Sequence, residues 1–118
     1  MTIELNPFDL YEAEQNTGEW YARTPRPGSM VAIVADWCGH CKALKKSVEL
    51  ANQISPFPAY YVDSAKIDRQ KLESMGVTGF PTIFVVKYDG SLERYERSRA
   101  PQDLAAFFRK AILETRRR

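Results

Sequence analysis

The chain has 118 residues, of which 44% are hydrophobic and 27% charged, and its formal net charge is +2. This length favours one domain over the whole chain, 1–118, with a core that needs no disulfide reinforcement. The small net charge argues against nucleic-acid binding, and no apolar segment is long enough to cross a bilayer. We interpret residues 113–118, rich in arginine, as a solvated tail.

The first quarter of the chain predicts a short strand, a short helix and a loop. Residues 3–5 can form a brief strand. Asn6 followed by proline is typical of a helix start, and we expect a helix over 7–15. Trp20 belongs to an apolar patch of undefined structure, and the proline- and glycine-rich residues 23–29 predict a loop.

The next elements alternate between strand and helix. Residues 30–35 are almost continuously apolar, which indicates a central strand buried on both faces. From Cys38 onwards the apolar residues recur at helical spacing, so we expect a helix that begins at Cys38 and carries Cys41 one turn inside. Residues 59–63 predict a second buried strand, and residues 64–75 predict a polar helix.

The last third of the chain predicts a hairpin and a terminal helix. Residues 77–81 are expected to form a loop, and residues 82–87 and 91–96 to form two strands. The strands are joined by the Asp-Gly turn at 89–90. A helix should run from 101 to 112 at least. The predicted order is therefore β-α-β-α-β-α-β-β-α, which implies a mixed sheet with helices on both faces.

Both cysteines and the only histidine lie within residues 37–42. A thiol at a helix N-terminus is shifted towards thiolate by the unpaired N–H groups and the helix dipole, and thiolate is the nucleophile of disulfide exchange. A static disulfide and a metal site are the alternatives. Zinc needs four ligands, and His40 lies between the two cysteines, so one chain could not complete such a site. Reversible redox chemistry is the first hypothesis.

Three segments together resemble the thioredoxin superfamily, most closely the catalytic (a-type) domains of protein disulfide isomerases. Residues 37–42 carry the Cys-Gly-His-Cys form of the motif, and residues 76–83 resemble the loop that ends in a cis-proline facing the cysteines. Residues 95–99 resemble the stretch whose second arginine can turn towards the active site. The resemblance covers residues 30–112 and matches 1–29 only loosely. It implies a thioredoxin-like three-layer α/β/α sandwich with a mixed five-stranded sheet.

The resemblance also implies roles for individual residues. Cys38 would be the attacking thiol and Cys41 the resolving thiol. Phe80 and Pro81 would present a backbone edge to the substrate, with a cis bond between them. The expected supporting residues are Trp37, Gly39, His40 and Arg99, of which Arg99 would either be a solvated surface residue or ease Cys41 towards its thiolate. Of these, His40 as an imidazolium would make the disulfide a better oxidant.

The chain departs from the family at one buried position. A carboxylic acid usually lies six residues before the first cysteine, where this chain has Ala32. Its usual lysine neighbour falls near Tyr61. We therefore expect proton transfer at Cys41 to be slow, or to use water, Arg99 or Asp36, although Asp36 should be exposed at the end of a strand.

The predicted function is a thiol-disulfide oxidoreductase of protein disulfides and dithiols, isomerase-like and relatively oxidising. Its partners would be protein substrates and glutathione or a redox protein, and the chain would be a monomer that binds neither nucleic acid nor a membrane. It would need no metal and no cofactor beyond the reversible Cys38–Cys41 disulfide. A thioredoxin-like cytosolic reductase and a redox-silent binding module are the alternatives.

The first nine residues lack the pattern of a signal peptide. We therefore expect a cytoplasmic protein, or one in the endoplasmic reticulum lumen if the chain is an excised domain.

Overall fold

The computed structural model describes residues 2–14 and 17–116, which form a central five-stranded sheet covered on both faces. The strands are β1 (Thr2–Glu4), β2 (Leu10–Glu12), β3 (Trp20–Ala22), β4 (Met30–Val34), β5 (Ala59–Asp63), β6 (Thr82–Val86) and β7 (Leu92–Arg94). The helices are α1 (Gly39–Ile54), α2 (Arg69–Ser74) and α3 (Pro101–Arg116).

The order of strands in the main sheet is β1-β5-β4-β6-β7. Strand β4 is parallel to β5 and antiparallel to β6, so the sheet is mixed, as predicted. All five residues of β4 are buried. Met30 and Ala32 belong to the core on one face and Val31 and Ile33 to the core on the other, because successive side chains of a strand alternate. This two-sided burial explains the continuous apolar run.

Helices α1 and α3 cover one face of the sheet. Leu44, Val48 and Ala51 of α1 are buried at the predicted helical spacing. The rings of Phe57 and Phe108 stack with their centroids 4.7 Å apart beneath these helices. This face holds the largest aromatic part of the core. Burying one such side chain stabilises the folded state by roughly 1.5–3 kcal/mol.

The other face is covered by α2 and by a hairpin of β2 and β3, and here the prediction of a helix over 7–15 is wrong. Residues Pro7–Asp9 form a single 3-10 turn, and β2 then pairs antiparallel with β3. Leu10 points into the core, while the rings of Tyr11 and Tyr21 stack across the strands at 5.8 Å. Cross-strand aromatic pairs favour this hairpin over a short helix. Residues 15 and 16 lie outside the described residues.

Two further boundaries differ from the sequence prediction. The helix expected over 64–75 is divided into a 3-10 turn, Ser64–Lys66, and α2. The carboxylates of Asp63 and Asp68 each accept a hydrogen bond from a backbone N–H two residues later, and two capping residues start two separate turns. Helix α3 continues through Arg116, so most of the expected basic tail is helical. None of the helices within the described ranges is long and apolar enough to cross a membrane.

Candidate active site

The sulfur of Cys38 caps the N-terminus of α1. Cys38 follows β4 after a turn in which its N–H donates to the carbonyl of Ala35 at 3.2 Å. The backbone N–H of Cys41 donates to the Cys38 sulfur at 3.1 Å, so the thiol fills the place usually taken by a serine or aspartate oxygen. The sulfur therefore faces the positive end of the helix dipole.

The surroundings of Cys38 favour its thiolate. Burial alone would raise the pKa of Cys38, but hydrogen bonds from the Cys41 thiol and from the N–H groups of Cys41 and His40, together with the charge of Arg99, lower that pKa below its ordinary value. Depth does not distinguish the two thiols, because Cys38 is 5% exposed and Cys41 2%. The polarity of the helix terminus, and not greater exposure, therefore favours ionisation of Cys38 over that of Cys41.

Cys41 has the opposite electrostatic environment. Burial and, after it, the neighbouring Cys38 sulfur raise the pKa of Cys41 to about 11, although the N–H of Ala35 and the charge of Lys45 act in the other direction. Both cysteines are free, so the site is in its dithiol state. The two thiols therefore differ in the way that an attacking and a resolving cysteine require.

A second segment, residues 77–81, closes over the Cys38 sulfur. The Phe80–Pro81 peptide bond is cis, as the resemblance predicted. The Cys38 thiol lies 3.5 Å from the carbonyl oxygen of Phe80, to which it can donate. The ring of Trp37 meets that of Phe80 edge to face at 5.8 Å, and 80% of Trp37 is exposed. The thiol is thus bordered by backbone and by an exposed aromatic surface.

Two side chains that the sequence did not single out hold this segment, and Gly76 just before it, in place. The hydroxyl of Thr82 donates to the carbonyl of Gly79 at 2.7 Å. Both terminal nitrogens of Arg94 donate to the carbonyl of Gly76, at 3.3 and 2.9 Å. Arg94 pairs with Phe84 across β6 and β7, so its position depends on strand register, for which the local sequence gives no signal.

The charge of Arg99 acts on Cys38. Its terminal nitrogen donates to the carbonyl of Pro81 at 3.5 Å, and its charge lowers the pKa of Cys38. The expected target was Cys41, whose pKa shift has no contribution from Arg99 among its largest causes. The hydroxyl of Tyr95 donates to the carbonyl of Ser98 and so orders the segment that carries Arg99.

Gly39 and His40 form the exposed first turn of α1. No atom lies within 4 Å of the position that a side chain at Gly39 would occupy, which leaves this side of the site open. His40 contributes its backbone N–H to the stabilisation of the Cys38 thiolate. The expected role of its imidazolium remains a prediction.

Ala32 and Tyr61 are direct partners in the register of β4 and β5, as the alignment with the family predicted. Both are buried, and the hydroxyl of Tyr61 has no hydrogen-bond partner among the residues that the structure describes. Asp36 is exposed, and its charge acts on Lys66. No carboxylic acid is among the largest causes of the pKa shift of either cysteine. Within the described residues, no group of three or more histidine, cysteine or acidic side chains is placed to hold a metal ion.

The sequence of this chain is similar to a known protein family and to several known proteins. The protein-family model described as thioredoxin matches residues 17–110, which extends the similarity into the segment that the sequence matched only loosely. The protein disulfide-isomerase of Aspergillus oryzae is 43% identical over 82 residues, or 66% of this chain and 16% of that protein. The protein disulfide-isomerase of Drosophila melanogaster is 35% identical over 86 residues, or 69% of this chain and 17% of that protein. The chain thus spans about a sixth of each of these relatives.

Solved structures with the same fold come from thioredoxin domains of larger proteins. The Trx4 domain of ERdj5 superimposes with a TM-score of 0.62 at 22% identity, over 97% of this chain and 96% of that one. The zinc-bound form of human ERp44 gives a TM-score of 0.63 at 18% identity, over 93% of this chain and 31% of that one. At these identities the likeness concerns the fold alone.

Proposed function

The chain belongs to the thioredoxin family, and from this premise we propose that it exchanges thiols and disulfides with protein substrates through Cys38 and Cys41. The observation that carries the proposal is the placement of the two thiols: the Cys38 sulfur accepts the N–H of Cys41 at 3.1 Å at the start of α1, and Cys41 is buried in the first turn. The lowered pKa of Cys38 and the raised pKa of Cys41, about 11, agree with this placement. A reactive thiolate beside a protonated, buried thiol supports two ordered steps.

In the first step the Cys38 thiolate attacks a substrate disulfide, and one substrate sulfur leaves as a thiolate. In the second step Cys41, after losing its proton, attacks the Cys38 sulfur and releases the other substrate sulfur. The substrate gains two electrons and the protein is left with a Cys38–Cys41 disulfide. The reverse sequence oxidises a substrate dithiol, and neither direction needs a cofactor.

We propose that the aromatic border and the cis-proline segment receive the substrate chain. Trp37 and Phe80 offer apolar surface beside the sulfur, and the backbone of Phe80 and Pro81 lies within hydrogen-bonding distance of Cys38 and Arg99. An extended peptide can pair with exposed backbone while its side chains rest on aromatic surface. This mode of binding suits many substrate sequences.

For the direction of exchange we propose the isomerase-like, relatively oxidising side of the family. The Cys-Gly-His-Cys motif and the stabilised Cys38 thiolate both favour the reduced form, which makes the disulfide a stronger oxidant. A potential nearer about −180 mV than about −270 mV is expected. We expect glutathione or a redox protein to return the cysteines to their starting state, and the chain to act as a monomer. A cytosolic reductase is the alternative.

The proposal is tested with three proteins: wild type, Cys38→Ser and Cys41→Ser. We expect the wild type to reduce insulin and to reactivate scrambled ribonuclease, and Cys38→Ser to do neither. Cys41→Ser should accumulate a mixed disulfide on Cys38 that intact mass spectrometry detects. Full activity of Cys38→Ser would show that the mechanism is wrong. Equilibration with glutathione gives the potential and separates the oxidant from the reductant.

A further inference from the structure

We propose that Lys45, held above the ring of Tyr61, stabilises the thiolate of Cys41 and so accelerates the resolving step. The inference rests on the proposed exchange function and assigns a positioning residue to its second step. Cys41 is 2% exposed, which makes loss of its proton unfavourable. Ala32 of β4, where the family usually has an acid, cannot accept that proton.

The helix places Lys45 on the same side as Cys41. The two residues are four positions apart in α1, and side chains at this spacing lie one above the other on one face. The Lys45 ammonium nitrogen lies 5.2 Å from the centroid of the Tyr61 ring. Tyr61 belongs to the same buried cluster as Cys41. The aromatic face therefore keeps a cation at the rim of the cluster that contains the resolving thiol.

The Lys45 ammonium is not neutralised by a contacting carboxylate. The ion pairs within 4.0 Å in the described parts of the chain are Lys66–Glu4 and Lys87–Glu93. Lys45 is exposed, so its head group stays hydrated while its stem lies along the apolar surface. Its charge lowers the pKa of Cys41, which supports the placement.

The other titratable groups near Cys41 do not replace Lys45. Burial raises the pKa of Tyr61 well beyond its ordinary range, so this phenol stays neutral while thiols titrate. Burial likewise raises the pKa of Tyr95, whose hydroxyl is already bonded to Ser98. Arg99 acts on Cys38, and Glu49, four residues after Lys45 in α1, acts on Tyr61.

The step balances without a further reactant. Cys41 loses a proton to water, and its thiolate attacks the Cys38 sulfur of the mixed disulfide. The Cys38–Cys41 bond forms, and the bond between Cys38 and the substrate breaks. The electron pair leaves with the substrate thiolate, which takes up one proton. Lys45 stays protonated and lowers the free energy of the thiolate that attacks.

The test measures the two steps separately. Reduced protein is mixed with excess oxidised glutathione and quenched with acid, and the Cys38–glutathione mixed disulfide is counted by intact mass. We expect Lys45→Met to resolve the mixed disulfide about threefold more slowly near neutral pH, with the pH profile of this step moved upwards. Formation of the mixed disulfide should not change. The difference should shrink in about 1 M KCl, which screens exposed charges.

Lys46→Met is the matched control, because Lys46 is the next residue of the same helix and equally exposed. It should leave both steps unchanged. Equal resolving rates for Lys45→Met and the wild type would overturn the inference alone. Failure of the wild type to form either the mixed disulfide or the Cys38–Cys41 disulfide would instead overturn the proposed exchange function.

Variants of Tyr61 test whether its aromatic ring, and not its hydroxyl, supports the effect of Lys45 on the resolving step. Tyr61→Phe keeps the ring and should resolve at the wild-type rate, whereas Tyr61→Leu should slow resolution, and by no more when combined with Lys45→Met. A slow Tyr61→Phe protein would assign the proton transfer to the hydroxyl and overturn the role of Lys45. Because Tyr61 is buried, each variant is first checked by circular dichroism, and the Lys45 and Lys46 variants decide the question if Tyr61→Leu does not fold.

Discussion

The sulfur of Cys38 lies 3.5 Å from the carbonyl oxygen of Phe80, although 42 residues separate them along the chain. The contact joins the start of α1 to the segment that precedes β6, and the antiparallel pairing of β4 with β6 brings the two together. Consequently the nucleophile, the cis-proline backbone and the guanidinium of Arg99 meet at one end of the sheet. The chemistry and the proposed peptide-binding edge therefore share one short region of surface.

The two thiols should titrate on opposite sides of an ordinary cysteine. In Cys41→Ser, alkylation of Cys38 by iodoacetamide should reach half its maximal rate below the usual thiol pKa of about 8.5. In Cys38→Ser, Cys41 should titrate above that value, because burial, its largest influence, remains. The measurement is the alkylation rate as a function of pH. Coincident profiles would contradict the assignment of attacking and resolving roles.

The raised pKa of Cys41 should make the reduced protein less stable in alkaline solution. The pKa of this thiol is about 11 in the folded protein and about 8.5 in the unfolded chain. Its contribution to the free energy of unfolding is therefore complete below about pH 8.5 and is lost as the pH rises between the two values. The thermal midpoint of the reduced wild type should therefore fall faster than that of Cys41→Ser between about pH 8.5 and 9.5, below the ordinary tyrosine pKa of about 10. Parallel curves would contradict this.

Replacing Arg99 should weaken the attacking thiol. Arg99→Gln removes a charge that lowers the pKa of Cys38, so the alkylation profile of Cys38 should move upwards and the rate near neutral pH should fall about two- to threefold. Arg97→Gln is the control, because the guanidinium of Arg97 lies over the ring of Phe107, 5.5 Å from its centroid. An equal effect of both changes would point to general loss of charge.

Trp37→Ala should affect binding of protein substrates more than stability. Trp37 is 80% exposed and contacts Phe80, so we expect a loss of unfolding free energy below about 0.5 kcal/mol. The KM for insulin should rise severalfold, whereas the reaction with glutathione, which lacks a long chain, should be unchanged. Phe8→Ala is the control, since Phe8 is 82% exposed and belongs to a different segment.

Gly28→Ala tests how the loop before β4 fits against α3. A methyl group at Gly28 would lie 2.7 Å from the Cγ1 atom of Ile112 and 2.9 Å from its Cα, at a φ of +90°. Gly18→Ala is the matched control, because Gly18 has a φ of +76° and nothing within 4 Å. Gly18→Ala should cost about 1–2 kcal/mol from the backbone alone, and overpacking should add roughly 1–3 kcal/mol at Gly28. Urea unfolding measures both; equal losses would contradict the close contact.

The sequence could be interpreted correctly where a short segment determines its own structure. The apolar run of β4, the helical spacing of α1 and the Asp-Gly turn are local patterns, and the predicted mixed sheet follows from their order. The element type was predicted wrongly in residues 7–12, part of the helix expected over 7–15, where the few apolar residues fit a helix or a strand equally well. Pairing of β2 with β3, which no local pattern specifies, decides that choice.

Local sequence patterns and the family resemblance were enough to predict the main sheet, the two cysteines at a helix start and the cis-proline segment expected to face them. Which groups act on which thiol depends on the folded arrangement of the whole chain. There the charge of Arg99 acts on Cys38, whereas Cys41 was expected, and Lys45 lies over Tyr61. The reason is physical: a pKa depends on burial and on charges within a few ångströms, and those neighbours come from strands and helices far apart in the chain.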